Sequence, residues 1–134
     1  GNAVPLINAS QGDVPELKFP FEVVSTTRKY LQEHPEIVRA VARANGRANN
    51  FIRKNPDEAV KILQKYFGKI DPEILKQSLV NIVPAVPTDG KMTKEGWDNL
   101  IRVLQETGML KGTMDTTEGK YWTNDYLKDL NGKD

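Results

Sequence analysis

Residues 34–73 read HPEIVRAVARANGRANNFIRKNPDEAVKILQKYFGKIDPE, and three short cassettes in that stretch decide the fold: His34-Pro35-Glu36, Asn55-Pro56-Asp57 and Asp71-Pro72-Glu73. In each, a capping residue precedes a proline and an acid. Proline suits a first helical turn because the N–H it lacks would be unpaired there, and the acid behind it meets the positive end of the helix dipole. Three consecutive helices are therefore expected. The first runs from Pro35 to about Lys54 on Ile37, Val38, Val41, Ala44, Ala48, Phe51 and Ile52, spaced by threes and fours along one face. Gly46 in its interior implies a close contact or a bend. The second, Pro56 to Phe67, is expected to bury Ala59, Ile62, Leu63 and Tyr66 and to end on a left-handed Gly68. The third spans Pro72 to about Ile82 on Ile74, Leu75, Leu79 and Ile82.

Downstream, Val83-Pro84-Ala85-Val86-Pro87 has two residues without a donor and reads as a connector. Thr93 is placed to cap a helix from Lys94 to Thr107, with Trp97, Leu100, Ile101 and Leu104 inward and Gly108 as its stop. After a polar stretch, Thr123 opens a last short helix carrying Tyr126, Leu127 and Leu130, and the tail 131–134 is expected to fray. Trp97 reads as core, whereas Trp122 reads as more open, a lid or an anchor.

Upstream, Val4 to Ala9 and Phe21 to Ser25 read as strands, with the proline-flanked Glu16-Leu17-Lys18-Phe19 as an extended connector between them. Thr26 or Thr27 then caps a short helix through Gln32. One or two isolated strands cannot satisfy their own backbone groups, so a sheet completed elsewhere is expected.

Composition bounds the chemistry. The 134 residues hold 19 Lys+Arg against 18 Asp+Glu, so the formal net charge of +1 provides no global field for nucleic acid or an anionic membrane. With no cysteine, disulfides, thiolate nucleophiles and cysteine metal sites are excluded together. No apolar run approaches the ~20 residues of a membrane span, and residues 1–5 lack the pattern of a signal peptide.

Neither a catalytic set nor a metal site is legible. His34 has no assignable nucleophile or orienting carboxylate and reads as part of a helix start. The acids lack EF-hand spacing, and Asp89-Gly90-Lys91 and Glu118-Gly119-Lys120 are turns rather than phosphate loops. Arg39, Arg43 and Arg47, four apart, form a stripe able to meet phosphates. Without interleaved aromatics, and with Glu36 three before Arg39, it is more simply the solvated side of an amphipathic helix. Ser25, Thr26 and Thr27, hydroxyls between a strand end and a helix start, suit either a small anion or a plain cap.

Taken in order, Phe21-Glu22-Val23-Val24-Ser25-Thr26-Thr27-Arg28-Lys29-Tyr30-Leu31, His34-Pro35-Glu36-Ile37-Val38 and Asn55-Pro56-Asp57-Glu58-Ala59 resemble the C-terminal part of the periplasmic substrate-binding proteins of ABC importers. The group in question handles nitrate, sulfonates, taurine, bicarbonate and thiamine-pyrimidine precursors. Lys94-Glu95-Gly96-Trp97-Asp98-Asn99-Leu100 and Trp122-Thr123-Asn124-Asp125-Tyr126-Leu127 are similar to the closing helix and terminal signature of that family. The resemblance covers Phe21 to Leu130.

The resemblance implies an α/β fold of the type II periplasmic-binding-protein kind, of which this chain would be a mostly helical portion with one or two strands, an incomplete lobe. Residues 1–20 would end the second lobe and cross over, and 21–134 would be the C-terminal helical part of the first lobe. It implies a solute-binding component, or a fragment of one, that closes on a small organic or oxyanionic solute without catalysis or cofactor. Phe21, Glu22, Ser25 and Thr26 would line the cleft. Partners would be the small-molecule solute, the importer's membrane subunits and the remainder of the same protein, with no nucleic acid, at the periplasmic or extracellular face of a bacterial membrane. Two alternatives stand beside it: an independent helical domain binding protein or nucleic acid through Arg39, Arg43 and Arg47, and an enzyme on the same scaffold, for which no catalytic set is legible.

Overall fold

The computed structural model describes residues 6–128. Five α-helices follow in order: α1 Arg28–Glu33, α2 Pro35–Lys54, α3 Pro56–Gln64, α4 Pro72–Ile82 and α5 Lys94–Glu106. Single 3-10 turns stand at Ala9–Gln11, Pro15–Leu17, Val83–Ala85 and Asp125–Leu127.

The proline cassettes start α2, α3 and α4 as expected, but only Asp71 caps with its side chain, its Oδ1 accepting from Glu73 N–H at 2.8 Å. His34 and Asn55 work through their backbones instead. The His34 N–H donates to Tyr30 O at 2.8 Å while its own carbonyl accepts from Val38 N–H at 3.2 Å, so one residue closes α1 and opens α2. Asn55 does the same between Phe51 and Ala59. Helices joined through one residue must change direction there, and proline at the next position enforces the break.

The best-packed region lies between α3 and α4. Ala59, Val60, Leu75 and Leu79 are buried, with Ile52, Leu63 and Val83 against them. Lys76 Nζ reaches Asp57 Oδ1 at 2.9 Å across the same pair of helices. Arg53 on α2 donates through Nη2 to the carbonyls of Val83, at 2.7 Å, and Val86, tying the end of α4 to α2.

A second packed region joins α5 and the C-terminal turn, which itself packs on α2. Trp97 and Trp122 stack with centroids 6.2 Å apart and planes 13° from parallel, and Ile101, Trp122 and Leu127 are buried. Trp122 is thus an anchor rather than an open lid: its Nε1–H donates to Thr116 O at 3.0 Å, and the Thr116 hydroxyl donates to the Asp98 carboxylate. The last helical segment is a 3-10 turn, with the Thr123 hydroxyl accepting from Asp125 N–H at 3.1 Å; Leu130 and the tail 131–134 lie outside the described residues.

Several expectations are corrected. The Val4 to Ala9 strand lies partly outside the described residues, and the remainder runs without regular structure into a 3-10 turn. Phe21 to Ser25 is not a strand either, and no strand occurs among the described residues. The reason is the one that made a lone strand suspect: a ladder needs a partner, and none occurs among the described residues. α3 ends at Gln64, closed by Lys65 N–H to Ile62 O and Tyr66 N–H to Leu63 O, and Gly68 is not left-handed. Ile62 and Tyr66 are exposed, with Val60 buried in their stead.

The packed face of α2 also differs from its apolar stripe. Ile37, Val41 and Phe51 are exposed, while Val38, Ala42, Gly46 and Asn49 turn inward, with Gly46 the one buried residue of the helix. Among the described residues, Ile37, Val41, Phe51, Ile62, Ile74 and Ile82 on these helices are exposed.

Candidate functional site

The four residues marked by the sequence, Phe21, Glu22, Ser25 and Thr26, lie on one stretch between Pro20 and α1, and all four are exposed. This stretch is held at both ends. At its start, Asn99 Nδ2–H on α5 donates to Lys18 O at 3.1 Å. Next to it, Pro20 crosses the first turn of α5 so closely that a Cβ on Gly96 would lie 3.2 Å from Pro20 Cδ. At its end, Arg28 Nη2 donates to Lys120 O at 2.9 Å, and the Thr27 hydroxyl accepts from Tyr30 N–H at 3.1 Å to cap α1.

Between those anchors the backbone is unpaired. Among the described residues, no N–H or C=O of residues 20–26 meets another backbone group. Phe21 is 84% exposed, and Val23 and Val24 are about half exposed at 48% and 51%. The stretch thus carries three apolar side chains and six peptide groups that water rather than backbone satisfies. Thr27, rather than Thr26, is used as the cap.

No closed cavity surrounds these residues. A shallow depression runs along α2 beside Pro35, Glu36, Arg39 and Arg47, and another lies between Lys91, Glu118 and Asp125; neither includes Phe21, Glu22, Ser25 or Thr26. In the arginine stripe, Arg39 and Arg47 are exposed and Arg43 is half-buried. Among the described residues no cluster of His, Cys, Asp or Glu is arranged to hold a metal ion, and no helix is long and apolar enough to cross a membrane.

The anchors escaped the sequence reading. Asn99, Gly96 and Arg28 sit in helices whose patterns concern their own faces, while their partners Lys18, Pro20 and Lys120 are 81, 76 and 92 residues away in the chain. Gly96 alone carried a signal, as a glycine inside a capped helix.

Comparison with known families adds one relation. Residues 1–59 match the model of a family described as NMT1/THI5 like. No curated protein and no solved structure matches the chain. The match runs from the N-terminus through the unpaired stretch, α1 and α2 into α3, and it supports a relation of this part of the chain to a family of substrate-binding proteins with a periplasmic-binding-protein-like fold.

Proposed function

We propose that this chain is a solute-binding component of an ABC importer, or a portion of one, and that it works by binding and release without catalysis. The observation that carries the reading is the coincidence of the family match over residues 1–59 with the anchored, unpaired stretch inside it. In this reading, residues 1–20 end a second lobe and cross over, and residues 21–134 form the helical part of a first lobe. A two-lobe binder traps its ligand by hinge closure, so its contacts come from chain ends that face a cleft.

Phe21, Glu22, Ser25 and Thr26 are the cleft-facing positions in this account. The Ser25 and Thr26 hydroxyls and the free N–H groups beside them are donors suited to an oxyanion or sulfonate. Glu22 accepts from a cationic or hydrogen-bonding group at the other end of a solute such as an amino sulfonate, and Phe21 supplies an apolar wall. The solute is small and organic or oxyanionic, the partners are the importer's membrane subunits and the remainder of the binding protein, and the site of action is the outer face of a bacterial membrane.

The reading is tested by thermal-shift measurements on a polypeptide that joins these residues to the strands of both lobes. The panel is nitrate, taurine, aliphatic sulfonates, bicarbonate and aminopyrimidines. One class should raise the melting temperature in a saturable way, as expected of a ligand that binds only the folded state, and Ser25→Ala with Thr26→Ala should reduce that shift. A flat response across the panel counts against the proposal.

A further inference from the structure

The loop that joins α3 to α4 carries side chains that the core between those helices does not use. We infer that this loop and the helix turns beside it, residues 62–74, are a membrane contact, and that the partner is a bilayer surface bearing anionic phospholipid. The contact needs nothing from the solute reading.

The loop is held by its own bonds. The Tyr66 and Phe67 N–H groups both donate to Leu63 O, at 2.9 and 2.8 Å, Ile70 N–H donates to Phe67 O at 2.9 Å, and the Gln64 side-chain amide donates to Ile70 O at 2.8 Å. A loop fixed in this way loses little conformational entropy on docking. The far end of the helix pair is tied down by Arg53 through the carbonyls of Val83 and Val86, whereas every residue of 65–70 is exposed.

Its composition is that of an interfacial anchor. Tyr66 is 79% exposed and Phe67 48%, and Ile62, Ile70 and Ile74 add exposed aliphatic surface beside them. Lys65 and Lys69 flank the two aromatics. Lys61 and Lys76 nearby are paired, with Glu58 and Asp57, but among the described residues no carboxylate pairs with Lys65 or Lys69. Residues 59–70 contain three lysines and no acid, and the next acid, Asp71, accepts from Glu73 N–H as the cap of α4. A net charge of +1 gives the whole chain no general attraction to an anionic surface, so the attraction is local. A bilayer interface matches both parts of the pattern. Aromatic rings sit at headgroup depth against the acyl chains, and lysine ammonium groups reach back along their stems to the phosphates. The arginine stripe of α2 has charge without such apolar neighbours, its depression being lined by Ala40 and Ala44.

Vesicle flotation measures the contact. The chain should float with phosphatidylcholine vesicles carrying phosphatidylglycerol at about one lipid in three, stay behind with phosphatidylcholine alone, and be released by salt. Lys65→Gln with Lys69→Gln should lower the partition coefficient roughly thirtyfold, about fivefold for each lysine. Arg39→Gln with Arg102→Gln, which removes as much charge from the exposed sides of α2 and α5, should leave it unchanged. Because the chain has no cysteine, Tyr66→Cys can carry a single polarity-sensitive dye. Its emission should shift to the blue when the mixed vesicles are added, while the same dye on Arg39→Cys should not respond. No flotation at low salt, equal flotation with neutral vesicles, equal losses from the two double substitutions, or matching dye responses at both positions overturns the inference.

Discussion

Gly90 lies against Gly46: a Cβ built on Gly90 would stand 3.4 Å from the Gly46 Cα and 3.7 Å from its backbone nitrogen. The turn comes into van der Waals reach of the α2 backbone at Gly46, a helix-interior position where alanine would otherwise be preferred by roughly 1 kcal/mol. The turn Pro87 to Lys91 approaches the helix backbone directly, with Gly90 at φ +70° and the Asp89 carboxylate accepting from Lys91 N–H at 3.0 Å. The connector after α4 is thereby seated on α2.

Replacing Gly90 tests that seat. Gly90→Val places a β-branched residue in a left-handed conformation and sets its side chain against Gly46. Urea denaturation should show a loss of about 2 kcal/mol, the sum of a left-handed penalty and a displaced contact. An unchanged midpoint would mean that the turn does not rest on α2.

Arg53 is the second tie between the same segments. Its guanidinium donates to the carbonyls of Val83 and Val86, and a lysine cannot reproduce two donations from one planar group. Arg53→Met should cost about 2–3 kcal/mol, since two half-buried carbonyls lose a charged donor, and Arg53→Lys should recover only part of it. Equal stability of all three forms by thermal denaturation would remove this tie from the account.

The Asp57–Lys76 bridge joins α3 to α4 at the surface, and its effect on acid stability has a definite sign. A hydrogen bond from Lys76, then its charge, holds the Asp57 carboxyl below the ordinary value of 3.8, and the Lys76 ammonium is raised above 10.5 by Asp57 in return. A carboxyl with a depressed folded pKa stabilises fully above its unfolded pKa, and that contribution is lost as pH falls through the folded value. The Lys76 contribution is present below its unfolded pKa and is lost as pH rises through its raised folded value. Asp57→Asn should therefore lower stability at neutral pH by a small, salt-sensitive amount, with the difference from the parent chain vanishing at acid pH below the ordinary carboxylate range. A difference that persists there, or one that grows, would contradict the assignment.

How far the sequence discloses this molecule varies with the kind of interaction. The bounds of α2 and α4, Pro35–Lys54 and Pro72–Ile82, were legible because proline marks a start through local chemistry. The inward face of α2 was not, because it packs against distant segments, the turn at Asp125–Leu127 and Gly90, rather than along its own stripe of Ile37, Val41 and Phe51. Trp122 looked open in a polar stretch, yet Gly119, at φ +93° and donating to Trp122 O at 2.8 Å, turns the chain so that the indole meets Thr116. A turn closed by one glycine leaves little trace in a hydrophobic pattern. Phe21 to Ser25 has the composition of a strand and is not one, since pairing is a property of two segments and no second strand occurs among the described residues. The positions Phe21, Glu22, Ser25 and Thr26 could be singled out, but their convergence on a site depends on the surface opposite them.

The account turns on the state of that stretch, and backbone hydrogen exchange measures it most directly. In dilute monomer, the amides of residues 21–26 should exchange within about tenfold of an unstructured peptide, while those of Leu79 and Ile101 in the buried faces of α4 and α5 are strongly protected. Protection at residues 22–25 matching that of Leu79 in the dilute monomer would show that the stretch already has its partner, and would contradict the unpaired backbone on which the proposed site rests.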